Sequence, residues 1–136
     1  MHVSTHLIFR GQCEAAFTFY ERTLGGTILT MLAYGDSPLA QQVSPEWRRK
    51  IVHATLTVGG RALTGADVLP AEYAPPQGFY VLLGVDGRRE AERIFHAMAV
   101  GGAVKLPIQK TFWSPCFGVL IDAFGIPWEI NAEGEA

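Results

Sequence analysis

Residues 11–26 read "GQCEAAFTFYERTLGG" and residues 87–102 read "GRREAERIFHAMAVGG". Laid one over the other, Gly11 meets Gly87, Glu14–Ala15 meets Glu90–Ala91, Phe19 meets Phe95, and Gly25–Gly26 meets Gly101–Gly102. Apolar residues recur at helical spacing in both: Phe17, Tyr20 and Leu24 in the first, Ile94, Phe95 and Met98 in the second. Each segment ends in a glycine pair, which readily takes the left-handed conformation that closes a helix. The pattern predicts two equivalent amphipathic helices, and so a structural unit written twice.

The flanks repeat as well. A strand-like run precedes each helix ("HLIF", "FYVLLGV") and another follows it ("TILTMLAY", "AVKLPI"). A hairpin then closes each half. In the first, "KIVHATLTV" and "RALTGAD" are joined by Gly59–Gly60, a dipeptide suited to the positive φ angles of a two-residue turn. In the second, "PCFGVLI" and "PWEIN" are joined by "DAFG". Both halves therefore read β-α-β-β-β, about 2–68 and 78–131, with a Pro-rich linker over 69–77. The loop "GDSPLAQQVSPEW" (35–47) is either a lid or plain surface.

Alternation along the hairpins sorts the side chains. In the first, Val52, Ala54, Leu56 and Val58 share one face, and His53, Thr55 and Thr57 the other. A two-residue turn pairs Val58 with Arg61, which sets Thr64 beside Thr55. In the second, Phe117, Val119 and Ile121 are expected to share a face with Trp128 and Ile130. Cys116, Gly118 and Leu120 are then expected beside Glu129. The apolar faces take the helices as cover. The polar faces, with His53, the threonines and Glu129, line a cup or simply stay wet. Glu129 is the anomaly, a carboxylate in mid-strand between Trp128 and Ile130, where an unpaired charge is costly to bury.

Composition narrows the classes. The chain has 136 residues, 49% of them hydrophobic, enough to build a core. The net charge is −2 and the eleven Lys and Arg are scattered, which argues against a nucleic-acid partner. Cys13 and Cys116 make no disulfide framework or C-x-x-C motif. No run reaches the length of a membrane span, and "MHVSTHLIF" lacks the pattern of a signal peptide. The expectation is a cytoplasmic protein with reduced thiols and no membrane partner.

The phrases "FRGQCEAAFTFYERTLGG", "KIVHATLTVGG" and "TFWSPCFGVLIDAFGIPWEI", with the tandem repeat, resemble the vicinal oxygen chelate superfamily of glyoxalase I, bleomycin-resistance proteins and extradiol dioxygenases. The wording is similar to its PhnB-like (3-demethylubiquinone-9 3-methyltransferase-like) branch over nearly the whole chain. The resemblance implies an α+β fold, two tandem β-α-β-β-β modules forming an incomplete barrel around a cup-shaped cavity, in a single domain over 1–136. The methyltransferase label finds no Gly-rich nucleotide loop here.

In the superfamily's enzymes metal ligands lie on the first and last strands of each half. Carried over, the positions are Thr5 (or His6, one residue along), Thr64, Tyr80 or Val81, and Glu129. Only Glu129 is a good ligand, with His6 second, whereas a divalent ion wants three or four such groups. No metal is therefore assigned and no cofactor is expected. The ligand-lining candidates are His53, Thr55, Thr64, Tyr80, Trp113 and Glu129. His53 either pairs with Glu129 or is satisfied by a backbone or Thr partner. Trp113 is either a wall of the cup or core filler, and Cys13, at a helix start, is either activated or inert. His2 and His96 read as surface.

Three functions remain open. One is a small-molecule-binding protein with a degenerate metal site. The second is a metal-dependent lyase, isomerase or dioxygenase acting on vicinal oxygens. The third is a structural module with a filled cup. Whether any reaction is catalysed is open, and a homodimer is expected.

Overall fold

The two helices predicted from the repeat are α1, Cys13–Leu24, and α2, Arg88–Ala99. Their surroundings repeat too, in the computed structural model, which describes residues 1–134. The chain divides into two units, Met1–Ala74 and Pro75–Ala136. Unit 1 holds β1 (Thr5–Phe9), α1, β2 (Thr27–Ala33), β3 (Ile51–Val58) and β4 (Arg61–Asp67). Unit 2 holds β5 (Val81–Asp86), α2, β6 (Ala103–Gln109), β7 (Phe117–Ile121) and β8 (Pro127–Glu133). The sheets run β1-β4-β3-β2 and β5-β8-β7-β6. In each, the first and last strands pair in parallel and the others antiparallel. The tandem β-α-β-β-β organisation and the α+β class are as expected.

Each helix covers one face of its own sheet. α1 buries Cys13, Ala16, Phe17, Tyr20 and Thr23, and α2 buries Ala91, Ile94, Phe95 and Met98. Full burial of each large apolar side chain contributes about 1.5–3 kcal/mol. A glycine admits one ring of each helix to the sheet. A Cβ on Gly65 would lie 2.8 Å from the Phe17 ring, and one on Gly118 would lie 2.5 Å from the Phe95 ring. The two glycines lie on different strands, Gly65 on β4 and Gly118 on β7, and the sequence overlay sets the buried Phe95 against Phe19. Phe19 is only half-buried, with the Arg22 guanidinium over its ring. Identity along the chain matched letters, whereas burial follows the helical stripe.

The first hairpin has the expected register. Gly59 and Gly60 both have positive φ, Val58 pairs with Arg61, and Thr55 with Thr64. The second hairpin is displaced by one residue from expectation. Ile121 pairs with Pro127, Val119 with Glu129 and Gly118 with Ile130. Phe117, Val119 and Ile121 thus share the face of Glu129, while Gly118 and Leu120 lie with Trp128 and Ile130 under α2. The cause is Ile126, which belongs to the loop. The Asp122 N–H donates to the Ile126 carbonyl, and the Asp122 carboxylate accepts the N–H groups of Phe124 (2.9 Å) and Ile126 (3.0 Å) and the Trp128 indole N–H (2.9 Å). One added loop residue exchanges the two faces of β7 relative to β8.

Asp67 plays a comparable part in unit 1. Almost fully buried at the end of β4, its carboxylate accepts the N–H groups of Gly11, Cys13 and Ile51, each at 2.9 Å. It thereby ties the start of α1 and the start of β3 to one point. Buried backbone donors are costly unless met, and these three are met by a single side chain. The 34–50 loop is folded into three short 3-10 turns, with Arg48 Nε donating to the Ala40 carbonyl and Lys50 Nζ to the Gly11 carbonyl.

Candidate functional site

The face of each sheet that carries no helix holds the candidate side chains. In unit 1, β1 and β4 run in parallel with His6 opposite Thr64, while Thr5 lies opposite Leu63. Leu63 pairs with Leu56 on the helix side. The register thus puts His6, the second choice from sequence, at the position where a ligand would face out. His6 Nδ1 is hydrogen-bonded to Thr64 Oγ1 at 2.6 Å. Its ring stacks on that of His53, with centroids 6.5 Å apart and planes 16° from parallel. Burial, and after it the neighbouring His53, lower the His6 pKa. His53 Nε2 is also hydrogen-bonded to Thr55 Oγ1, at 3.3 Å. Four candidate polar side chains of unit 1 thus form one connected group: His6, His53, Thr55 and Thr64.

In unit 2, Glu129 lies between Leu82 on β5 and Val119 on β7. The β5 residue beside Glu129 is Leu82, whereas Tyr80 precedes the strand and Val81 pairs with Trp128. Two residues from Glu129, Asn131 Oδ1 accepts from Ser114 Oγ at 2.5 Å, and Ser114 Oγ accepts the Cys116 N–H. This bond pins the 110–115 loop to β8. Trp113, on that loop, stands edge-on to Phe117 with ring centroids 5.3 Å apart. Phe117 pairs with Asn131 and so belongs to the same face. Trp113 is 56% exposed, so it is not core filler.

With the observed registers, the outward places on the first and last strands hold an imidazole and a hydroxyl in unit 1 (His6, Thr64), and an alkyl group and a carboxylate in unit 2 (Leu82, Glu129), where Tyr80 or Val81 was expected beside the carboxylate. An alkyl group donates nothing, and a neutral hydroxyl is a weak ligand for a divalent ion. Among the described residues, no three His, Cys, Asp or Glu side chains group together. Neither pair fits the superfamily's metal. Cys13 is buried, and desolvation, reinforced by Asp67 and Glu14, raises its thiol pKa strongly, so the thiol is inert. Asp67 escaped the sequence reading because the backbone donors it meets, at Gly11, Cys13 and Ile51, are distant in the chain and only the fold brings them near. Among the described residues no helix is long and apolar enough to cross a membrane.

Comparison with known proteins agrees with this architecture. The family model described as 3-demethylubiquinone-9 3-methyltransferase matches residues 1–131. Protein YjdN of Escherichia coli (strain K12) is 33% identical over 139 residues, spanning 96% of this chain and 95% of that protein. The crystal structure of protein PA1353 from Pseudomonas aeruginosa has 43% identity and a TM-score of 0.90, covering 99% of both chains. A glyoxalase/bleomycin resistance protein/dioxygenase family enzyme from Burkholderia phytofirmans shares the fold at 14% identity, with a TM-score of 0.64 and 95% of both chains covered.

Proposed function

The chain belongs to the 3-demethylubiquinone-9 3-methyltransferase family, in the PhnB-like branch of the glyoxalase/bleomycin-resistance superfamily, and from that premise we propose that it is a small-molecule-binding protein with a degenerate metal site. The observation that carries this reading is Leu82 in register with Glu129. Where a metal-dependent relative needs a second donor beside the carboxylate, this chain offers a hydrocarbon. In unit 1, the imidazole at the equivalent place is already hydrogen-bonded to Thr64. The exposed indole of Trp113, the half-buried Glu129 and the His6–His53–Thr55–Thr64 group are surfaces for an organic ligand. Tyr80, exposed ahead of β5, is a further candidate contact.

The metal-dependent lyase, isomerase or dioxygenase is the second reading, favoured by His6 occupying the facing position that Thr5 would otherwise hold. Metal analysis of the purified protein, together with a thermal-shift screen of a compound library with and without Ni²⁺, Zn²⁺, Fe²⁺ and Mn²⁺, separates the two. The binding reading expects well under one equivalent of metal and a melting temperature indifferent to chelator. It also expects Glu129→Gln to leave stability nearly unchanged. Stoichiometric metal in the wild type that is absent from Glu129→Gln would promote the enzyme. A homodimer is part of the proposal, since β1, β2, β5 and β6 are the outer strands of their sheets and outer strands invite pairing. Light scattering that reports a monomer across micromolar concentrations rejects it.

A further inference from the structure

We infer that the ligand met by unit 2 is an organic cation, an amine carried on an aromatic or apolar body. The inference rests on the small-molecule reading above and narrows it to a chemical class. Glu129 is half-buried, its strand neighbours Leu82 and Val119 are apolar, and its carboxylate has no hydrogen-bond or ion-pair partner among the described residues. The strands around it, β5, β7 and β8, contain no Lys, Arg or His. A carboxylate partly withdrawn from water without a partner is held at a cost, which an ammonium relieves by supplying both charge and N–H donors. An anionic ligand at the same place adds like-charge repulsion instead.

The apolar part of the site lies at a defined distance. Leu82 is 64% exposed beside Glu129. Trp113 stands on Phe117, which is in register with Asn131, two residues from Glu129. At a strand rise of about 3.4 Å per residue, the aromatic wall begins roughly 7 Å from the row that holds the carboxylate. The Ser114–Asn131 hydrogen bond keeps the loop bearing Trp113 at that spacing. Carboxylate at one end and indole at the other suit an ammonium joined to an aromatic ring by a short chain. An aromatic body set against Trp113 gains the offset or edge-on contact such rings prefer.

Isothermal titration of the purified full chain with tryptamine and 2-phenylethylamine, against indole-3-acetate and 3-phenylpropanoate, tests the inference. The amines are expected to bind at least tenfold more tightly than the matched acids. Glu129→Gln, which keeps the shape, should erase that preference without lowering the melting temperature, and Trp113→Ala should weaken the amines at least threefold. Equal binding of amines and acids, or a preference that survives Glu129→Gln, overturns the inference. If neutral or anionic compounds from a broad library bind while amines do not, the charge assignment falls and the small-molecule reading stands. If compounds of no charge class bind, both fall.

Discussion

The indole N–H of Trp128 donates to the carboxylate of Asp122 at 2.9 Å, inside the loop that connects β7 to β8. Through this bond and the two backbone N–H groups it also accepts, Asp122 fixes how many residues the loop contains. It thereby decides that Phe117, Val119 and Ile121, not Gly118 and Leu120, share the face of Glu129. Asp122→Ala removes the acceptor from three buried or part-buried donors. We expect a loss of about 3 kcal/mol or more, since hydrogen bonds to charged groups contribute about 1.5–3 kcal/mol each. Urea unfolding of both proteins measures it, and a loss under about 1 kcal/mol rejects this role.

Trp128 itself is 1% exposed and fills the space between β8 and α2. Trp128→Ala should cost about 3–5 kcal/mol, the range for truncating a buried aromatic. Trp128→Phe keeps much of the volume and loses the N–H donor to Asp122, so its cost should be clearly smaller. Equal costs for the two variants would mean that the hydrogen bond, not packing, dominates.

Gly118 and Phe95 are in a contact that leaves no room for a methyl group, as are Gly65 and Phe17. Gly118→Ala should destabilise by about 1–3 kcal/mol through overpacking. Phe95→Leu in the same chain should restore part of that loss, because the two sites are neighbours and their effects do not add. Additive costs in the double variant would show that the methyl group meets something other than the ring.

His6 carries a pH dependence. Burial and the nearby His53 hold its imidazole below the ordinary value near 6.5. The unfolded chain therefore takes up this proton first. The contribution to stability is complete above pH 6.5 and declines as pH falls from there to the folded-state value. In an NMR titration His6 should show a midpoint below 6.5, and His53→Gln should move it upward. Unfolding midpoints between about pH 7 and pH 5 should fall less steeply in His6→Gln than in wild type. A His6 midpoint at or above its ordinary value removes the prediction.

The amino-acid chain alone carries the tandem organisation, because the helical stripes, the glycine pairs and Gly59–Gly60 are local signals that need no distant partner. It determined the core place of Trp128 and the outward place of Glu129, since alternation separates adjacent residues whatever the register. The neighbours of Glu129 followed from the length of the β7–β8 loop, which residue types alone did not reveal. An expected loop without Ile126 set Gly118 and Leu120 beside the carboxylate, and hydrogen bonds to Asp122 replaced them with Phe117, Val119 and Ile121. His6 over Thr5, and Leu82 over Tyr80 or Val81, were decided by tertiary structure, through the pairing of β1 with β4 and of β5 with β8. Parallel strands have no turn between them to set a register, so their alignment follows from which side chains each sheet buries against its helix.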